Sequence, residues 1–74
     1  MEQEIKERIK SIIIHFSLTE QEYTDKLDSN AAVTRHILDG RNRPNMEYLQ
    51  KIITAFPDIN ERWLLVGEGN MTKQ

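Results

Sequence analysis

Cysteine is absent from this chain. That excludes a disulfide framework, a thiolate nucleophile and a cysteine-based zinc site. Histidine is scarce, and His15 and His36 stand far apart, so no metal centre is expected from them. Long apolar runs are missing too: the longest is Ile12-Ile13-Ile14, far short of a bilayer span. No segment alternates apolar and polar residues for long enough to make a strand. Repeats and linkers are missing. There is no phosphate-cradling glycine loop, no nucleophile–base pair, no metal cluster and no paired acids in a plausible arrangement, so an enzyme is not expected. No cofactor and no small-molecule ligand are expected either. The start of the chain is charged and helically periodic rather than signal-like, and the expected compartment is the cytoplasm.

What is present fits one small domain. Seventy-four residues bury only roughly 60% of their unfolded surface, so the core must be thin. Ile5, Ile9, Ile12, Ile13 and Phe16 recur at helical spacing and predict a first helix from about Gln3 to Phe16. Glu2, Lys6, Arg8 and Lys10 fall mostly off that stripe. Thr19 and Glu22 have the spacing of a capping box, with Leu18 placed as a staple, and start a second helix whose core contacts are Tyr23 and Leu27. Asp28-Ser29 makes a turn. Asn30 is suited to cap a third helix over 31–38, and Gly40 to end it in the left-handed region. Pro44-Asn45 opens a fourth helix with Met46, Leu49, Ile52, Ile53 and Phe56 as its apolar face, stopped by Pro57. Asn60 caps a fifth, with Ile59, Trp63 and Leu64 inward. Gly67 ends it, and residues 67–74 read as a flexible, frayed tail.

The formal net charge is −2, which does not advertise a nucleic-acid partner. The distribution says more. Residues 1–34 are rich in acids, whereas 35–51 hold Arg35, Arg41, Arg43 and Lys51 against only Asp39 and Glu47. Within a Debye length of about 8 Å, local sign counts for more than the sum.

Two short helices over about 19–38, joined by a turn and followed by a basic loop, have the spacing of a helix-turn-helix. Two further elements stand beside them: Gly40-Arg41-Asn42-Arg43-Pro44, and Pro57-Asp58-Ile59-Asn60-Glu61-Arg62-Trp63-Leu64-Leu65-Val66-Gly67-Glu68-Gly69. With these, residues 3–71 resemble the Cro and phage-repressor type of helix-turn-helix, the Xre-like family. The resemblance implies an all-α fold, a compact five-helix bundle of the lambda-repressor-like kind, with helices two and three as the DNA-reading pair. It implies sequence-specific binding of double-stranded DNA in transcription control, as a repressor-like regulator. It also implies two-fold pairing on DNA. Either helix five supplies a weak homodimer surface, or the chain is one domain of a longer protein.

Several positions depart from the family pattern. Glu20 stands where the family has a phosphate-touching glutamine, and an acid there faces the backbone unfavourably unless Gln21 takes over or Glu20 points aside. Thr24 is the small residue inside helix two, and Asp28 replaces the turn glycine. Thr34 replaces a buried aliphatic, leaving a hydroxyl to satisfy, with a carbonyl one turn back as its candidate acceptor. A one-residue shorter turn would instead bury Val33 and rotate helix three by about 100°. The ungapped register is preferred, because it keeps Ile37, Leu38 and Gly40 at the family's positions.

In that register Ala31, Ala32 and Arg35 face the groove, with Arg35 able to pair with guanine through its fork. The alanines offer only methyl contacts. Thr19, Gln21, Asn30, His36, Arg41, Asn42 and Arg43 fall at the edges or on phosphates. For Arg35 the competing reading is a solvated surface arginine; Trp63 reads as a core anchor rather than a ligand platform. The rival function is a protein-interaction module on the same scaffold with weakened DNA contacts, which Glu20, Asp28 and the two alanines favour.

Overall fold

The computed structural model describes residues 4–73, and over them the chain forms five helices and no strand. They are α1 (Ile5–His15), α2 (Glu20–Lys26), α3 (Ala31–Leu38), α4 (Met46–Ala55) and α5 (Glu61–Val66). The predicted start of the first helix at Gln3, and Glu2 beside it, lie outside the described residues.

Side-chain caps start four of these helices. Thr19 and Glu22 close a reciprocal capping box at α2. Asn30 accepts from the Val33 amide at α3, Asn45 from Tyr48 at α4, and Asn60 from Arg62 at α5. Each satisfies an amide that the helix itself leaves without a partner.

One device ends α1, α2 and α3. The amide two residues past the C-cap reaches back to the third carbonyl from the end: Leu18 to Ile13, Ser29 to Thr24 and Arg41 to His36. The residue between is left-handed in each case. It is Ser17 at φ 55° after α1, Asp28 at φ 55° after α2, and Gly40 at φ 80° after α3. Only the third uses glycine, so the first two turns hold some backbone strain.

The core gathers the inward stripe of every helix. Ile9, Ile12, Tyr23, Ile52, Ile59 and Leu64 are fully buried, with Ile13, Leu27, Ile37, Leu38, Tyr48, Phe56 and Trp63 around them. α3 packs on both α1 and α2, and α5 packs on α1. Phe16 and Tyr23 both stack on Phe56, at centroid distances of 5.0 Å and 6.1 Å. The Tyr23 and Tyr48 hydroxyls meet at 2.9 Å, so two phenols enter the core without an orphaned oxygen.

Three features differ from the sequence expectation. Met46, assigned to the apolar face of α4, is exposed, and Tyr48 fills the inward position instead. Met46 shares its side of α4 with Leu49 and Ile53, which are only half-buried, whereas Tyr48, Ile52 and Phe56 share the phase that faces the core. Arg8, placed off the α1 stripe, is buried; its Nε donates to the Leu64 carbonyl at 3.0 Å. A long side chain can follow the apolar surface and deliver its charge to the end of a neighbouring helix. Finally, the segment expected to fray is hydrogen-bonded. Ile59 bridges Thr72, the Asn60 amide donates to the Met71 carbonyl at 2.8 Å, and the Lys73 amide donates to the Asp58 carbonyl at 2.9 Å. Gln74, the last residue of that tail, lies outside the described residues.

Candidate nucleic-acid interface

The first question at α3 is which face it buries. Thr34 is 1% exposed and Val33 36% exposed. The ungapped register therefore holds, and the alternative with Val33 inward is excluded for this structure. Thr34 does not satisfy its hydroxyl on a carbonyl of its own helix as expected. It pairs with Thr24 of α2 at 2.7 Å between hydroxyl oxygens. Two departures from the family pattern thus meet each other, and the contact fixes α3 against α2 at the helix midpoints.

With Thr34, Ile37 and Leu38 inward, Ala31, Ala32 and Arg35 are exposed on the opposite side. His36 is half-buried. Asn30 precedes them as the cap, with its side-chain oxygen committed to the Val33 amide. Thr19 is exposed at the start of α2, and its hydroxyl is likewise committed to its own cap. Gln21 is exposed but donates to Asp25 at 2.9 Å along the same helix face.

The basic loop leaves α3 through the left-handed Gly40. Arg41, Asn42 and Arg43 are all exposed. Among the described residues neither Arg41 nor Arg43 is ion-paired. A groove beside α3 brings Asn30, Val33, Asn42, Arg43 and Lys51 to one surface. Lys51 belongs to that surface by tertiary structure; in sequence it was only part of the local charge balance. The structure thus gathers Asn30, Asn42 and Arg43, while Thr19 and Gln21 stand on α2.

Arg35 has a different environment. Its Nη2 donates to Glu20 Oε1 at 2.5 Å, and its Nη1 lies 3.4 Å from Asp39 Oδ1. All three side chains remain substantially exposed. Such a pair contributes about 0–1 kcal/mol to stability after solvent screening. Glu22 closes the capping box of α2, and Glu20, the first residue of that helix, reaches across to α3. Nothing local in the sequence announced the pair, since its members lie 15 positions apart.

Comparison of the chain with protein-family models, curated proteins and solved structures gave no match.

Proposed function

We propose that this chain is a helix-turn-helix domain that binds double-stranded DNA with sequence preference and acts as a repressor-like regulator of transcription in the cytoplasm. α2 and α3 form the reading pair, and α3 enters the major groove. The observation that carries this is the division of α3. One face is locked into the core by Thr34, Ile37 and Leu38; the other offers Ala31, Ala32 and Arg35 to solvent. Directly after it come two exposed loop arginines, Arg41 and Arg43, that are not ion-paired among the described residues. In a groove-binding helix the small residues permit close approach, Arg35 reads a base edge, and Arg41 and Arg43 hold phosphates. With so few hydrogen-bonding side chains on the exposed face, DNA shape carries a share of the selectivity. Two copies on a pseudo-palindromic site complete the reading, with half-sites about 34–36 Å apart or a multiple of that.

A second reading has its own support. Arg35 is partnered by two carboxylates and Gln21 by a third, as in a protein-interaction module that has given up DNA contacts. Selection of bound duplexes from a random pool separates the two. Enrichment of a defined site, with affinity that falls steeply as salt rises, supports DNA reading. Weak binding without sequence preference supports the interaction module.

A further inference from the structure

We infer that Glu20 is a specificity-determining residue, which turns Arg35 from a phosphate binder into a base reader; this rests on the DNA-binding reading above. The geometry is the Glu20–Arg35 contact of 2.5 Å that bridges the start of α2 and the exposed face of α3, with Asp39 at 3.4 Å on the other terminal nitrogen. A guanidinium has five N–H donors. One on each terminal nitrogen is directed at a carboxylate, so the others stay available. The charge, however, is largely balanced before any ligand arrives.

A partner's charge then decides the outcome. A phosphate approaching Arg35 competes with Glu20 for the same cation and brings a second anion up against the Glu20 carboxylate. The gain at the arginine is offset by repulsion. A guanine edge is neutral and offers two acceptors, O6 and N7. It takes the remaining donors while Glu20 keeps its own, and no like charges meet. Holding the fork from two sides also limits its rotamers, so less freedom is lost when it docks. Selectivity here is a difference between two affinities, and Glu20 acts by weakening the wrong one. Arg41 and Arg43 carry no such partner among the described residues and keep their full attraction for phosphate. The same surface therefore separates cations that position from one that reads.

The test uses Glu20→Gln, which keeps size and a hydrogen-bond acceptor but removes the charge. Two duplexes serve as probes: the site enriched by selection with the unaltered chain, and a scrambled duplex of equal composition. Glu20→Gln should bind the scrambled duplex several-fold more tightly and the selected one with little gain, so the ratio of the two affinities falls. The slope of log affinity against log salt on the scrambled duplex should steepen by about 0.9, the value of one further neutralised phosphate. In an Arg35→Ala background, Glu20→Gln should shift both duplexes by one common factor. A thermal midpoint close to that of the unaltered chain shows that folding is intact; Glu20→Ala repeats the measurement if it is not. If, in the chain that retains Arg35, Glu20→Gln changes both affinities equally with no added salt dependence, the inference is overturned while the DNA-binding reading stands. If the unaltered chain enriches no site, that reading falls and takes the inference with it.

Discussion

The hydroxyls of Thr24 and Thr34 lie 2.7 Å apart, both side chains 1% exposed, and join the two helices proposed to read DNA. The contact makes a hydroxyl tolerable where an aliphatic side chain would otherwise sit. Valine at either position alone leaves the other hydroxyl buried without this partner, at a cost of about 1–3 kcal/mol. Replacing both by valine restores shape without polarity and should cost less than the sum. A double-mutant cycle from urea denaturation measures the coupling; strict additivity would deny the pairing any energetic role.

A second hydroxyl pair, Tyr23 with Tyr48, has consequences at high pH. Burial pushes the Tyr23 phenol well above its ordinary range, and the neighbouring Tyr48 adds to the effect. The folded chain therefore keeps a proton that the unfolded chain loses near pH 10. The stability tied to this proton is fully present below about pH 10 and declines above it, by up to about 1.4 kcal/mol per pH unit. Tyr23→Phe should show a flatter alkaline decline than the unaltered chain in denaturant midpoints taken across that range. Equal slopes would show that Tyr23 ionises as readily folded as unfolded.

Trp63 is 8% exposed and belongs to the core. It is the only tryptophan in a 74-residue chain. Trp63→Ala should cost on the order of 3–5 kcal/mol, a large share of what a domain this small possesses. Calorimetry or far-ultraviolet circular dichroism reads the loss; a midpoint that scarcely moves would remove the anchor role.

Asp28 sits at φ 55° in the turn between α2 and α3. Glycine there relieves left-handed strain of about 1–2 kcal/mol, part of which aspartate already avoids by local hydrogen bonding. It also frees the unfolded chain by about 0.4–1 kcal/mol. Asp28→Gly should raise the melting temperature slightly, and Asp28→Val, branched at Cβ, should lower it clearly. The reverse order would contradict the turn geometry.

The two kinds of arginine should differ in binding. Arg35→Ala is expected to cost about 1–3 kcal/mol on a preferred site and to relax one base position. Arg43→Ala should weaken all duplexes about equally and reduce the salt slope by about one phosphate. Competition assays with single-base variants of the selected site read both effects. Identical profiles for the two variants would refute the division of labour.

The local architecture was legible in the sequence because it is governed by local rules. Thr19 with Glu22, Asn30, Asn45 and Asn60 marked four helix starts, since a cap acts on amides two or three residues ahead. Gly40 and Gly67 marked two helix ends. Apolar spacing identified Ile9, Ile12, Ile52 and Leu64 as inward, and the choice of Thr34 over Val33 followed from keeping Ile37 and Leu38 in phase. The exposed set Ala31, Ala32 and Arg35 came with that choice.

What the sequence alone determined, then, is the order of the helices, their approximate limits and most of the faces they bury, Met46, Tyr48 and Arg8 excepted, because each depends on neighbours within about one turn. Only the tertiary structure decided who meets whom across those faces. Thr24 answers Thr34, Tyr48 answers Tyr23, Arg8 reaches the Leu64 carbonyl, and residues 71–73 bond to 58–60. The Glu20–Arg35 pair is of the same kind, and it changes the site most. Its partners are brought together by the packing of α2 on α3, and a side-chain hydrogen bond between distant residues leaves no periodic trace in the chain that folds to form it.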